Sequence, residues 1–242
     1  MPSGDAASLA ITLVLSLVTK TGRMTSVMST VKPTRMPKST RRDRARATRL
    51  RITKVAYTLF SERGYAETTM ADIAEAAGVA VQTVYFTFHT KGELLSRAFD
   101  FAVLGEDGPL PPEEQEWYAR MAAEPDLALA LRHLVTGVGT INVRATPLDT
   151  VVRASAESDP DTARVWAFHE QLRADAHRAI LEILVAKSPL RDGLTPERAT
   201  HLLLFYLGSD AYRPLVHDFG WTHAEWVDWT VATIADQVFA AS

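Results

Sequence analysis

"DIAEAAGVAVQTVYFTFHTKGELL", residues 72–95, places an alanine-rich turn and one glycine ahead of a run whose outward positions carry valine, glutamine, threonine and phenylalanine instead of charges. Helical spacing predicts Val84, Tyr85 and Phe88 as the inward stripe of this run. An exposed helix with almost no charge before His89 is a poor face to offer water. The helix before it starts at Thr68/Thr69, with Asp72 three residues after Thr69 as its capping partner, and buries Met70, Ile73, Ala74 and Ala77 before Gly78 ends it. Further upstream, Ile52, Val55, Ala56, Leu59 and Phe60 fall at helical spacing from Arg44 onward, and Gly64 in "ERGY" (62–65) reads as the stop. "TKGE" (90–93) is a capping box that opens a fourth helix.

Around this core of the reading the chain divides. "GEDGPLPPEE" (105–114) combines prolines, glycines and acids into a linker, expected over 105–112. Beyond it lie helix candidates near 113–122, 126–144, 147–157, 161–187, 196–218 and 223–240. No run alternates with period two, so the fold class is all-α, with a helix-turn-helix module over 41–104 (motif 72–91) and a helical domain over 113–242. Residues 1–40 show no sustained period and predict a disordered leader; Met24, Met28 and Met36 leave room for a start downstream. The apolar run "LAITLVLSLV" (9–18) is about half the length needed to span a bilayer and lacks a positive flank and a cleavage site, which argues against a membrane anchor or a secretion signal.

The 242 residues include no cysteine, which excludes disulfides, thiol nucleophiles and thiolate metal sites and fits the cytoplasm. Residues 1–54 carry 12 Lys/Arg against 2 acids, and residues 55–242 carry 14 against 27, so a basic end is attached to an acidic body. That asymmetry fits a module that binds a polyanion.

Two short helices joined by a glycine turn, the second exposing contact-capable side chains, form the arrangement that lays its second helix in the major groove. Gln82 and Thr83 can hydrogen-bond base edges, and Val81 or Phe86 can touch a thymine methyl. The alternative is that Val81 and Phe86 pack against the larger domain. The stretch "RITKVAYTLFSERGYAETTMADIAEAAGVAVQTVYFTFHTKGELL" (51–95) resembles the DNA-binding domain of the tetracycline-repressor (TetR) family of bacterial transcriptional regulators. It shares the F-x-x-x-G-Y end of the first helix, T-T-x-x-x-I-A-x-x-A-G-V through the second helix and turn, T-V-Y-x-x-F in the third, and K-x-E-L-L in the fourth.

The resemblance implies that Thr69 caps the second helix near a phosphate, that Val81, Gln82 and Thr83 face bases or the adjacent backbone, and that Tyr85, Thr87 and Lys91 reach phosphates. Core packing is the alternative for Tyr85 and a solvated charge for Lys91. Three departures stand out: Ala80 replaces the usual Ser or Thr cap, a loss of about 1 kcal/mol of helix stability, Val81 replaces a commonly polar residue, and Thr87 a commonly aromatic one. The run "KPTRMPKSTRRDRARATRLR" (32–51) predicts an arm that follows the DNA backbone or enters the minor groove through Arg41, Arg42, Arg44 and Arg46, unless it is only a solvated tail.

The resemblance also implies a homodimer and a small-molecule pocket in the larger domain. "YLGSDAYRPLV" (206–216) is similar to the family's penultimate-helix segment, which predicts a dimer through 196–218 and 223–240, with Leu202, Leu203, Trp226, Thr230 and Ile234 among its buried positions. An intramolecular core would bury the same residues. For a pocket, the stripe Trp166, His169, Leu172, Ala176 and Ile180 carries one polar exception, His169, which Trp117, Asn142 and Tyr206 could join; a satisfied core histidine is the plainer reading. No catalytic motif, cofactor signature or metal-ligand spacing is present, so an enzyme or metal-dependent bundle has little support. The remaining alternative is a helical interaction protein whose reading helix has decayed, as Ala80 and Val81 could suggest. The sequence therefore predicts a ligand-responsive repressor that binds double-stranded DNA as a homodimer, without enzyme activity, cofactor or membrane association.

Overall fold

The structure, a computed structural model, describes residues 40–105 and 111–240. The leader expected over 1–40 lies outside them except for Thr40, as do the apolar run at 9–18 and residues 106–110 of the expected linker.

Helix α1, Arg41–Arg63, begins earlier than the apolar pattern predicts, because Thr40 and Asp43 form a capping box: the Asp43 N–H donates to Thr40 Oγ1 at 3.2 Å, and the Thr40 N–H donates to the Asp43 carboxylate at 2.7 Å. The basic stretch from Arg41 is thus helix and not an extended arm. Arginine and alanine are good helix formers, and a cap at their head lets the helix grow outward from its buried end at Ile52. Gly64, with φ of 86°, stops it. Short helices α2 (Met70–Ala76) and α3 (Val81–Phe88) follow, then α4 (Lys91–Leu104), whose start is capped by Thr90, accepting from the Glu93 N–H at 3.0 Å.

Ile52, Phe60, Ile73, Val84, Phe88, Leu94 and Leu95 form the core of these four helices. Three residues from far along the chain complete it: Leu148, Val152 and Val165. The N-terminal helices therefore close around side chains supplied by the body of the protein.

That body starts with a 3₁₀ turn at Pro112–Glu114 and α5 (Glu116–Ala123), followed by α6 (Leu127–Ala156) and α7 (Pro160–Val185). The break expected between 144 and 147 is absent, and α6 runs through Pro147. Proline removes one N–H from the helix ladder, but residues on both sides of it are buried, Asn142, Ala145 and Thr146 before and Leu148 and Val152 after, and this packing holds the helix in line. Tertiary bonds brace the same turn: the Tyr57 hydroxyl donates to Arg144 O at 2.8 Å, and the Arg144 guanidinium donates to Ala102 O and Val103 O at 3.0 and 3.2 Å.

The segment expected as one helix over 196–218 is instead α8 (Pro196–Tyr206), a break at Leu207–Gly208, α9 (Ser209–Tyr212) and a wide π turn at Arg213–Asp218. Gly208 permits the break sterically, since a Cβ there would lie 2.5 Å from Arg173 Nη1 and 2.6 Å from Leu204 O. The carbonyls left over are taken up by Arg173, donating to Leu204 O at 3.2 Å, and by Asn142, donating to Leu207 O at 2.9 Å. Helix α10 (His223–Val238) closes the body behind a Thr222/Glu225 capping box.

Leu131, Leu134, Leu181, Leu184, Leu203, Trp226 and Ile234 fill this second core. Leu203, Trp226, Thr230 and Ile234, read from the sequence as dimer positions, are buried within the single chain, and Leu202 is partly so. No strand forms among the described residues; an isolated bridge pairs Leu190 with Phe239.

Candidate nucleic-acid interface

Gly78, with φ of 62°, turns the chain between α2 and α3. Thr69 and Asp72 cap α2 reciprocally, with the Thr69 hydroxyl donating to the Asp72 carboxylate at 2.7 Å and the Asp72 N–H donating back at 3.1 Å. The same threonine hydroxyl and N–H hold the Asp72 carboxyl below the usual carboxylate range. Ala80 occupies the cap position of α3 in extended backbone and supplies no side-chain bond.

Helix α3 sends Val84 and Phe88 inward; Tyr85, read from the sequence as their companion, is 50% exposed. At 100° per residue it stands on the shoulder of the buried stripe, and the packed neighbours leave it turned outward. Phe86 is 84% exposed, so it does not pack against the body of the protein; Gln82 is exposed, and Val81, Thr83 and Thr87 are half-buried. Val81 leans on the N-terminal core. The Thr87 hydroxyl donates to Thr83 O at 2.6 Å, within the helix.

The far end of α3 is held from two sides. Arg49 donates to Thr87 O at 3.1 Å and lies 5.1 Å over the Phe88 ring, which fixes α1 against α3. Arg49 lies inside the basic stretch but is not among the contacts the sequence favours; its place three residues before buried Ile52 is the available signal. Arg42 and Arg46 precede it on the same helix face, while Arg41 and Arg44 lie elsewhere around α1, and all four are exposed. On the other side His89 takes φ of 50°, an uncommon value for a residue with a side chain, and the Thr90 N–H donates back to Phe88 O. Lys91 follows with Nζ 4.1 Å over the Tyr65 ring. Burial pulls its pKa down while Asp159, Asp72 and Glu67 hold it up, so it is a positioned cation beside the turn and not a freely solvated one.

The residues read as a ligand pocket are dispersed. Trp117 donates to Gln115 Oε1 at 3.0 Å and Tyr206 meets the edge of Trp229, both against the C-terminal core. Trp166 lies under the Arg153 guanidinium at 5.0 Å, against the N-terminal core. His169 stacks on Phe99 at 4.4 Å with Nε2 3.2 Å from Ser96 Oγ; burial lowers its pKa, against opposing pulls from Asp100 and Glu170. Leu172, placed in the same inward stripe, is 51% exposed. A separate cleft of about 280 Å³ opens between α6 and the α9 segment, lined by Asp149, Thr150, Arg153, Ser209, Asp210 and Arg213 together with Ala154, Glu157 and Pro214, none of which the sequence reading singles out. Among the described residues no group of three or more His, Cys, Asp or Glu could hold a metal ion.

An all-helical chain with a glycine-turned helix pair, an uncharged outward face on the second helix and cations around it defines a helix-turn-helix DNA-binding regulator. The family described as bacterial regulatory proteins, tetR family, matches residues 52–98, the stretch that holds α2, α3 and most of α1 and α4. The chain is 27% identical over 172 residues to the HTH-type transcriptional regulator TtgR of Pseudomonas putida, covering 69% of this chain and 79% of that protein. Over 81 residues it is 32% identical to the regulator AcrR of Shigella flexneri, covering 34% of this chain and 36% of AcrR. Its fold is that of NalD, the secondary repressor of the MexAB-OprM multidrug efflux pump in Pseudomonas aeruginosa, with a TM-score of 0.62 at 20% identity over 83% of this chain and all of NalD.

Proposed function

We propose that the chain is a ligand-responsive repressor that reads a palindromic operator as a homodimer, with residues 41–104 as the reading module and 113–242 as the dimerisation and effector module. The observation that carries this reading is the outward face of α3, where Gln82, Tyr85 and Phe86 stand exposed on a helix anchored at its far end by Arg49 and His89. Val81, Gln82, Thr83 and Phe86 meet base edges in the major groove. Thr69, Tyr85, Thr87 and Lys91 contact phosphates around it, and Arg41, Arg42, Arg44 and Arg46 extend the contact along the backbone from a helical α1.

The dimer forms through the outer faces of 196–218 and 223–240, not through the residues already buried inside. An aromatic surface supports this: Phe205 is 52% exposed, its ring meets Tyr206, and Tyr206 and Trp221 both meet Trp229. A small molecule bound to the body reaches the reading module through α6, because Leu148 and Val152 belong to the N-terminal core; the coupling requires only that the ligand bind two states unequally. On this reading the protein is not an enzyme, needs no cofactor and works in the cytoplasm. No described helix is long and apolar enough to cross a membrane.

The test is selection of bound duplexes from a random DNA library by the full-length protein at about 0.15 M salt. The proposal predicts a palindromic consensus, with half-sites spaced by the two-fold axis of the dimer. Salt-sensitive, sequence-blind binding by a stable dimer would overturn it in favour of a decayed reading helix.

A further inference from the structure

Helix α3 reads VQTVYFTF from Val81 to Phe88 and carries no charged side chain. Val84 and Phe88, four residues apart, form its buried stripe, and Gln82 and Phe86, also four apart, share the opposite face. Both project from the surface, Phe86 at 84% exposure, with Thr83 and Tyr85 flanking the pair on its two sides. Four residues of helix separate Gln82 from Phe86 by about 6 Å, roughly two base-pair steps of a duplex.

A face of this composition selects by what it lacks. In the major groove guanine shows two acceptors, O6 and N7, best matched by an arginine or a lysine, and cytosine shows an amino donor, best matched by a carboxylate. Helix α3 offers neither. The cations packed around its far end are engaged within the protein: Arg49 donates to Thr87 O and lies over Phe88, and Lys91 lies over the Tyr65 ring. His89 stands past the end of the helix, in the turn. A glutamine amide, by contrast, donates to N7 and accepts from N6 of one adenine, and a phenyl ring gains by covering the C5-methyl of thymine. Over cytosine the same ring would shield an amino donor from water without giving it an acceptor. Arg41, Arg42, Arg44 and Arg46 are exposed on α1 and are assigned above to the DNA backbone, which carries no sequence, so discrimination falls to α3.

We infer that each operator half-site is read as an A·T element: Gln82 holds an adenine edge, and Phe86 packs on a thymine methyl within about two base pairs of it. The inference rests on the operator-reading proposal above and adds the bases that are read.

The test titrates the full-length protein with the duplex it selects from the random library and with copies altered at single positions of one half-site. Thymine is replaced by deoxyuracil, which loses only the C5-methyl, or adenine by 7-deazaadenine, which loses the N7 acceptor. At one thymine the uracil base should weaken binding about fourfold, the worth of one buried methyl. At one adenine the deaza base should weaken it about fivefold, the worth of one hydrogen bond. Phe86→Ala should erase the response to uracil and keep the response to the deaza base, and Gln82→Ala should do the opposite. A consensus whose read positions are G·C pairs, a selected duplex that binds equally well after every replacement, or responses that both variants leave unchanged overturns the inference while sequence reading stands. Sequence-blind binding alone means that the operator proposal fails, and the inference with it.

Discussion

Around α3 the polar and aromatic side chains stand outside a core of Ile52, Phe60, Ile73, Val84 and Phe88, whereas in the body behind it polar atoms lie inside the packing. Thr146 Oγ1, His177 Nε2, Trp226 Nε1 and Thr230 Oγ1 are buried there without hydrogen-bond partners among the described residues, against Ser61 Oγ in the reading module, where buried Thr68 bonds to Leu59 O and Gly64 O. A module that must present one fixed face gains from a core with fewer unmatched polar atoms. Unmatched polar atoms lower the stability of the form that buries them and leave room for a form that satisfies them. The two regions nonetheless share side chains, and that sharing makes the contrast useful for regulation.

The largest expected effect tests whether the regions are separable. Leu148→Ala removes a fully buried residue of α6 from the N-terminal core, and a loss of about 3 kcal/mol is expected, within the usual range for leucine truncation. Calorimetry should show one transition moving down as a whole. Two transitions, with the earlier helices unaffected, would break the shared-core description.

Next is the pH response of the body. His177 is buried, its Nδ1–H donates to Arg173 O at 2.8 Å, and burial is the main cause of a pKa lowered to about 4. The unfolded chain, with the ordinary value near 6.5, takes up the proton first. The stability of the neutral, buried form is therefore complete above that value and is lost as pH falls towards 4, by about 2 kcal/mol at pH 5. Urea denaturation at pH 7 and pH 5 measures this slope, which His177→Gln should flatten; an unchanged slope would assign the acid sensitivity to other groups.

Smaller effects lie at the ends of the reading helix. His89→Gly relieves a side chain from positive φ and should raise stability by about 1 kcal/mol, while His89→Ala should not, as thermal melts of the two variants would show. Ala80→Ser restores a side-chain cap and should add about 0.5 kcal/mol by the same measurement.

The helix pair was legible in the sequence because its determinants are local: the Thr69/Asp72 box, the glycine at positive φ, and the spacing of Val84 and Phe88. The start of α1 was local too, but the Thr40/Asp43 box was hidden among arginines that read as an arm. What escaped depends on contacts between distant segments. Pro147 ends no helix because residues on both sides of it are buried, and 196–218 is broken at Gly208 because Arg173 and Asn142 take up the carbonyls of Leu204 and Leu207 ahead of it. Tyr85 turns outward and Leu172 escapes its stripe for the same reason, since periodicity gives a face but not what will cover it. The cleft at Asp149 joins α6 to a segment some sixty residues later, and each of its polar residues looks ordinary on its own helix.

The most direct measurement is the affinity of Phe86→Ala for the selected duplex, taken beside its melting temperature. Phe86 is too exposed to support the fold, so an unchanged melting temperature with specific binding weakened about tenfold is the predicted result. Unchanged affinity at unchanged stability would contradict the claim that the outward face of α3 is built to meet DNA.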